Sequence, residues 1–416
     1  MFRLLKYMFV LLVAVACSND DGVSPQLEQA LYRIQYDDHD YSNFIDKVNR
    51  IHDYVPDQLK RKLIEAINDK NYQERFSTIF RNFDAEEAMK AMIATAERDE
   101  FGLKQVRELG YIPADQEGSS VSKAVEYAYD DWCIAQMAKE MGKEDIYRRY
   151  IKRAQYYKNY FDASDGFLKG RYSNGEFTHD QFHATQVYHQ HYVEGNAWHY
   201  AFFAPQDVAG HIALFGGEEA YLNKLNEMFD AETPEGYGDV TGNVGQYSHG
   251  NEPSHHAAYL YAYAGQPWKT QQHVKRIMDE MYDDTRSGIC GNEDCGQMSA
   301  WYILSAMGFY QVAPGSNTYV LGTPRFTDVS MKLSDGKTFR VKAENLSADN
   351  FYVKEVRWNG EVYEKAYITH DMITSGGILT FVMDSEPNKE FGRLPENRPI
   401  SKIEDEVMTA EQLMNK

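Results

Sequence analysis

Helices joined by very short connections are the feature that most constrains the fold of this chain. Apolar residues recur at helical spacing from Val121 to Ala135, Gly142 ends that pattern, and a second stripe begins at Ile146. Two helices with so short a connection must run antiparallel. Helical patterns recur at 206–215, 218–229, 254–264, 270–282 and 296–307. This succession predicts a mainly α fold, a partial (α/α)6 toroid of antiparallel helical hairpins.

The pattern changes after Gly308. Short runs at 329–333, 339–341 and 378–383 alternate apolar and polar residues, and glycine-containing turn dipeptides separate them. These runs are predicted strands joined by hairpin turns. We therefore expect a small antiparallel β domain after the toroid, followed by a charged tail that is loose.

These patterns divide the sequence into five parts. We expect a lipoprotein signal peptide and tether at 1–22, followed by a helical segment at 23–82 that resembles no family we can name. An α/α-toroid domain that resembles a catalytic domain should occupy 83–311, a β domain 312–395, and the charged tail 396–416.

The first residues have the features of a targeting segment. Arg3 and Lys6 precede an apolar run at 8–15 that is too short to span a bilayer, and Cys17 directly follows Ala16. A cysteine in this position resembles the lipobox of bacterial lipoproteins. We therefore expect a secreted lipoprotein, periplasmic or at the outer-membrane surface, whose only membrane contact is a lipid anchor at Cys17.

The net charge limits the classes of binding partner, whereas the tyrosine and cysteine content leaves alternatives open. The chain has 43 Lys plus Arg against 63 Asp plus Glu, a formal charge of -20, which repels polyanions and argues against nucleic acid as a partner. The 31 tyrosines suit either sugar stacking or an ordinary core. Cys290 and Cys295 are compatible with a small disulfide and equally with two free thiols.

Four polar segments lie at the ends of predicted helices, where a toroid would place a cleft. They span 110–115, 192–198, 247–256 and 291–301. Glu194 alone could simply satisfy backbone N–H groups at a helix start, and the histidines of the third segment could be ordinary hydrogen-bonded loop residues. Their spacing matches no standard zinc pattern. Asn251 and Glu252 before Pro253 are oxygen donors on a stiff loop, which suits a hard cation such as calcium.

Taken together and in this order, the four segments resemble the conserved loops of glycoside hydrolase family 92, which are calcium-dependent inverting α-mannosidases. The resemblance extends from about Phe83 to Gly392. It covers the catalytic-domain portion of the family, and we expect the usual N-terminal β-sandwich domain to be lacking. A second chain that completes the cleft is accordingly one expected partner, beside mannose-containing glycans.

The resemblance assigns roles residue by residue. It implies that Glu194 is the general acid and Asp294 the general base, and that Asn251 and Glu252 hold calcium. Glu293, beside the base, is included among the catalytic residues, either raising the pKa of the base or orienting the loop.

The resemblance also implies a substrate-binding set, which contains Trp198, Gln246 and His249. Where members that cut α-1,2-linked mannose have His-Glu, this chain has Gly245-Gln246. That difference argues against α-1,2 specificity and leaves other linkages open.

The leading hypothesis is an exo-acting, calcium-assisted α-mannosidase of glycan degradation. The main alternative is a truncated, non-catalytic glycan-binding or remnant surface lipoprotein. A polysaccharide lyase or another α/α-toroid enzyme would account for the fold but not for the four polar segments.

Overall fold

The computed structural model describes residues 83–187, 190–233, 240–333, 335–404 and 407–414. The chain divides into two compact units, Met1–Phe83 and Asp84–Lys416. Cys17 and the predicted segments 1–22 and 23–82 lie outside the described residues.

Helices dominate the second unit. They are α1 (Ala85–Ala96), α2 (Leu103–Leu109), α3 (Ser120–Glu140), α4 (Glu144–Arg153), α5 (Ala197–Tyr200), α6 (Val208–Leu214), α7 (Glu218–Asp230), α8 (Pro267–Glu280), α9 (Gln297–Ala306), α10 (His370–Ser375) and α11 (Ala410–Met414). Short 3₁₀ helices include Tyr156–Tyr160, Pro205–Asp207, Glu252–Ser254, Ala257–Ala264 and Asp294–Gly296. Within the described residues, no helix combines the length and the apolar character needed to cross a membrane.

The α3–α4 pair confirms the predicted hairpin. Gly142 adopts a left-handed φ of 67°, which ends α3, and α4 starts at Glu144 with acidic residues in its first turn. The second helix stops at Arg153, earlier than its apolar stripe predicts, and a 3₁₀ helix at Tyr156–Tyr160 follows. All five residues of that 3₁₀ helix are buried, so this stretch is surrounded by protein on every side.

The strands follow the helices as predicted. Eight of them make up the two larger sheets of the described residues: β5 (Phe309–Tyr310), β6 (Thr318–Leu321), β7 (Asp328–Lys332), β8 (Thr338–Glu344), β9 (Tyr352–Trp358), β10 (Glu361–Val362), β11 (Tyr367–Thr369) and β12 (Gly377–Asp384). Two-residue strands β1 (Phe161–Asp162), β2 (Phe167–Leu168), β3 (Asn243–Val244) and β4 (Tyr247–Ser248) form two small hairpins in the helical part.

The five-stranded sheet has the order β10-β9-β12-β8-β7, and a three-stranded antiparallel sheet has the order β11-β6-β5. Most pairs are antiparallel, but β8 and β12 run parallel, with Val341 opposite Leu379. The chain between them contains β9 to β11 and α10, a crossover long enough to bring the second strand back in the same direction.

The helical part and the β domain have separate hydrophobic cores. Eight of the twelve largest fully buried side chains in the described residues are tyrosines. Much of the aromatic content therefore serves the core, the ordinary interpretation that the sequence left open.

The tail is packed against the toroid, so the prediction of a loose segment is wrong. Ile403 and Leu413 are buried, and the Ile403 N–H donates to Asp207 Oδ1 at 3.1 Å. The Met408 N–H donates to Gln155 Oε1 at 2.9 Å. Buried partners on the toroid satisfy the backbone of this charged segment, which keeps it ordered.

Candidate active site

The second polar segment presents Glu194 on a strained backbone. Glu194 has a φ of 48° and its side chain is exposed. Asn196 caps α5, since its Oδ1 accepts from the Trp198 and His199 N–H groups at 3.0 and 3.3 Å, and His199 Nδ1 accepts from the Asn196 N–H at 3.1 Å. A Cβ at Gly195 would lie 2.6 Å from His199 Nδ1, so this position requires glycine. The reciprocal cap fixes the direction in which Glu194 leaves the loop.

Helix α3 is hydrogen-bonded to Val193, the residue before Glu194. The Val193 N–H donates to Ser122 Oγ at 2.9 Å, and the Tyr200 hydroxyl donates to the Val193 carbonyl at 2.9 Å. The N–H groups of Val121 and Ser122 donate to the His191 carbonyl. The start of α3 and the second polar segment therefore form one hydrogen-bonded unit.

The third polar segment is tied to the second through Asn251. Its Nδ2 donates to the Glu194 carbonyl at 2.8 Å, and its Oδ1 accepts from the Glu252 N–H at 3.2 Å. The Glu252 side chain is exposed, yet surrounding protein desolvates it and raises its pKa, and Asp294 and Glu194 raise it further. Glu252 thus lies within electrostatic range of both carboxyls that the sequence assigns to catalysis.

The fourth polar segment turns through three left-handed residues. Asp294, Cys295 and Gly296 have φ values of 49°, 55° and 96°. Both carboxylate oxygens of Glu293 bind Ser299, from its N–H at 3.1 Å and its hydroxyl at 2.9 Å. Glu293 therefore acts as a cap for α9, and this geometry favours the loop-orienting role among the two that the sequence left open.

Two glycines let the third and fourth segments meet. The Gly250 N–H donates to the Thr241 carbonyl at 2.9 Å. A Cβ on Gly250 would lie 2.1 Å from Thr241 Oγ1 and 3.0 Å from the Thr241 carbonyl oxygen, and one on Gly291 would lie 2.8 Å from Thr241 Oγ1 and 3.4 Å from the Gly250 Cα. Only residues without side chains allow these backbones to approach so closely.

Gly250→Ala should lower the free energy of unfolding by about 1–3 kcal/mol, because the added methyl group forces Thr241 and the third segment to shift. Denaturant unfolding measures the effect. Gly118→Ala is the matched control, since a Cβ there meets nothing within 4 Å. Equal stability of the two variants would contradict this account of the contact.

The ring of Trp198 lies in the core of the helical part. It was expected to bind substrate, but it is 6% exposed and belongs to the toroid core. Its ring packs edge-on against Phe167 at a centroid distance of 4.7 Å, and Lys224 Nζ lies 4.2 Å from the ring centroid. These contacts anchor α5 in the core, and the role of Trp198 in substrate binding stays a prediction.

Gln246 and His249 are also buried behind the loops. Gln246 Oε1 accepts from Asn196 Nδ2 at 3.3 Å. The two ring nitrogens of His249 are engaged with the hydroxyls of Tyr247 and Tyr282 at 2.7 and 2.6 Å, and burial holds the pKa of His249 well below its usual range. Both side chains are buried and hydrogen-bonded to neighbouring residues, which positions the loops, and their role in substrate binding stays a prediction.

Sequence reasoning missed a carboxyl on helix α3. Glu126 is open to solvent, yet its pKa is raised to about 7, first by desolvation from surrounding protein and then by Asp130, Glu252 and Glu194. The available signal was the polar stripe Ser122, Glu126 and Asp130, spaced four apart on one face of the helix. Glu126 therefore joins the acidic cluster formed by the second, third and fourth polar segments.

Two further expectations concern the cysteines and the first polar segment. Cys290 and Cys295 are free thiols in the structure. In the segment 110–115, Asp115 Oδ1 accepts from the Ser173 N–H and hydroxyl at 2.9 Å, and the Ile112 N–H donates to the Tyr160 hydroxyl at 2.6 Å. Those contacts brace a neighbouring loop.

Comparison with known proteins gives a consistent result. Residues 63–385 match the model of the glycosyl hydrolase family 92 catalytic domain. A family 92 α-mannosidase from Bacteroides thetaiotaomicron, solved with mannoimidazole, is 41% identical, with a TM-score of 0.74, over 80% of this chain and 44% of its own. A family 92 inverting mannosidase from the same organism is 39% identical, with a TM-score of 0.71, over 77% of this chain and 46% of its own.

A curated relative, an uncharacterized secreted glycosidase from Arthroderma benhamiae, is 29% identical over 349 residues. That alignment covers 74% of this chain and 43% of the relative, so the chain spans less than half the length of these similar proteins. The family match includes most of the chain and begins before the boundary that the sequence suggested at Phe83. The sequence match and the shared fold together show that this chain belongs to glycosyl hydrolase family 92.

Proposed function

We propose that this protein is an exo-acting α-mannosidase that hydrolyses terminal α-linked mannose of glycans with inversion. The observation that carries the proposal is the hydrogen bond from Asn251 Nδ2 to the Glu194 carbonyl at 2.8 Å, which joins the second and third polar segments beside Glu252, a carboxyl on which both Glu194 and Asp294 act electrostatically. The similarity to two mannosidases with the same fold supports the substrate class.

In the proposed reaction, Glu194 begins protonated and Asp294 begins ionised. Asp294 takes a proton from a water molecule as the water oxygen bonds to the anomeric carbon. On the opposite side, Glu194 gives its proton to the glycosidic oxygen as the bond from the anomeric carbon to that oxygen breaks. This geometry requires the carboxyls to lie roughly 6.5–9.5 Å apart, so that water fits beside the base.

The side-chain oxygen atoms of the third polar segment fit a calcium ion. Within the described part of the chain, the Glu252 carboxyl forms no ion pair, it accepts a hydrogen bond from its own backbone N–H, and its charged neighbours are carboxylates. The described residues contain no group of three or more His, Cys, Asp or Glu side chains able to hold a metal. Glu252 and Asn251 would therefore hold the ion with backbone oxygens, water and sugar hydroxyls, all hard ligands that calcium accepts. When bound, calcium would supply electrostatic stabilisation and orient those hydroxyls.

Calcium should stabilise the protein, and Glu252→Gln should abolish most of that effect. At a free calcium concentration one hundred times Kd, the gain in unfolding free energy is about 2.7 kcal/mol. Thermal unfolding with calcium and with a chelator measures it without reference to activity. Glu364→Gln, an exposed carboxyl of the β domain, is the control. An equal calcium response in Glu252→Gln and wild type would contradict the assignment.

The activity itself is tested by mannose release from a panel of α-linked mannobiosides with calcium present. We expect release of free β-mannose as the first product, which NMR detects before the anomers equilibrate. Folded protein that releases no mannose from any member of the panel would favour the non-catalytic, glycan-binding alternative. The description of the curated relative as secreted supports a surface location, for which we propose a lipid anchor at Cys17.

A second chain that completes the cleft is part of the same proposal. The chain spans less than half the length of its relatives. Size-exclusion chromatography of the native protein, followed by identification of any co-eluting chain, tests this point.

A further inference from the structure

The turn that carries Asp294 has a backbone that its residue types do not favour. Asp294 and Cys295 both lie in the left-handed region, which costs free energy for residues with a side chain, and Gly296 follows them there. Such a turn persists only when the surrounding structure holds it. The position of the Asp294 carboxyl therefore depends on the contacts that fix the end of this turn.

Gln297 closes the turn through its main chain. Its backbone N–H donates to the Asp294 carbonyl, and Gln297 is also the first residue of α9. The next residue makes a similar contact, since the Met298 N–H donates to the Glu293 carbonyl at 3.3 Å. A contact that fixes Gln297 therefore also restrains the turn at Asp294.

The side chain of Gln297 is anchored outside its own segment. Its Nε2 lies 3.0 Å from His255 Nδ1 and donates to the Tyr310 hydroxyl at 3.0 Å. His255 belongs to the third polar segment, Tyr310 lies on β5, and both are buried. One amide group thus joins the fourth polar segment to the third and to a strand that follows α9.

The orientation of this amide follows from the hydrogen bonds of His255. His255 Nε2 lies 2.8 Å from the His249 carbonyl oxygen, which can only accept, so Nε2 carries a proton. Burial lowers the pKa of His255 to about 4, which keeps the ring neutral and leaves Nδ1 as an acceptor. Both hydrogens of the Gln297 amide nitrogen are therefore used, one by His255 and one by Tyr310. A side chain without two donors cannot make the same pair of contacts.

We propose that Gln297 is a positioning residue for the general base, because its amide holds the Asp294 turn in the geometry that directs the carboxyl to the attacking water. This inference rests on the proposed function, since it uses the role that Asp294 has there. Gln297 acts through Asp294 and not on the substrate. Its loss should therefore impair the step that needs the base and leave the protonation of the leaving group intact.

Gln297→Met tests this role, since methionine has a similar length but no hydrogen-bond donor. With an α-mannobioside as substrate, kcat should fall about 10- to 100-fold, as for a misplaced catalytic group, with KM within about threefold. Azide needs no general base, so it should restore turnover and give β-mannosyl azide. Gln272→Met, which changes an exposed glutamine of α8, is the matched control and should keep full activity.

A double-mutant comparison separates positioning from a merely structural role. In the Asp294→Asn background, with azide as the nucleophile, Gln297→Met should change the rate by less than about threefold, because the base that it positions is already absent. Thermal unfolding of each variant verifies the fold. If Gln297→Met does not fold, Tyr310→Phe replaces it in the test. That change removes one of the two acceptors and should give a loss of about 3- to 10-fold that azide restores.

Three results would overturn the role of Gln297 while the proposed function stands. They are a folded variant with more than about a third of the wild-type kcat, a loss that azide does not restore, and an equal loss in the Asp294→Asn background. If the folded wild-type protein releases no mannose from any mannobioside, the proposed function fails and the inference fails with it.

Discussion

Asp294→Asn is expected to lower kcat for α-mannobiosides by about 10²- to 10⁴-fold, with KM little changed. Asparagine keeps the shape of the side chain but cannot take a proton from water, so only the chemical step suffers. Asp294 lies on a left-handed backbone between the cap formed by Glu293 and the start of α9. Steady-state kinetics of mannose release checks the prediction.

Two comparisons make this result specific. Asp284→Asn changes an exposed carboxyl of the preceding loop and should retain full activity. Azide needs no general base, so it should restore cleavage by Asp294→Asn, with β-mannosyl azide as the product. Glu194→Gln should not respond to azide in this way with a poor leaving group. If Asp294→Asn keeps more than a tenth of the wild-type kcat, Asp294 is not the base.

Asp207→Ala should destabilise the protein by about 3–5 kcal/mol, because it leaves a buried cation without its partner. Asp207 is buried, and its Oδ2 accepts from the Tyr157 hydroxyl at 2.8 Å and lies 3.5 Å from Lys158 Nζ. Its Oδ1 accepts from the N–H groups of Gly210 and Ile403 at 3.2 and 3.1 Å. One carboxylate therefore connects a helix start, the toroid core and the C-terminal tail.

Urea or thermal unfolding measures this loss. Asp207→Asn keeps most of the volume and one acceptor oxygen, so its free energy of unfolding should fall by less. Asp349→Ala removes an exposed carboxyl and should leave the free energy of unfolding almost unchanged. A loss below about 1 kcal/mol for Asp207→Ala would mean that the neighbours of the carboxylate relax around the missing group.

The elements that depend on local periodicity were predictable. The α3–α4 hairpin and the later helices follow from apolar spacing, and the strands of the β domain follow from alternation and turn residues. The 3₁₀ helix at Tyr156–Tyr160 was not predictable, because a stretch that is buried on every side has no amphipathic period. The packed tail was missed because its partners, Asp207 and Gln155, lie far away in the sequence.

In the candidate site, too, some features were predictable from the sequence and others were not. The four polar segments were visible in the sequence, and the resemblance to family 92 singled out Glu194, Asp294, Asn251 and Glu252, whose roles stay a prediction. Burial of Trp198, Gln246 and His249 depends on side chains contributed by other segments, so residue type alone could not predict it, and their role in substrate binding stays a prediction. Glu126 lay on a helix face that looked like ordinary solvated surface until the fold brought it beside Glu194.

The sequence by itself determined the helical hairpins, the β domain and the identity of the polar loops, because short-range spacing and residue chemistry specify these features. The tertiary structure decided which polar residues face the site and which support it from behind. Glu293 and Ser122 hold the polar segments by hydrogen bonds, Asn251 joins the second segment to the third, and Glu126 joined the acidic cluster. The exposure of a side chain and the charges around it depend on neighbours that are distant in the sequence. Only the folded chain brings those neighbours together.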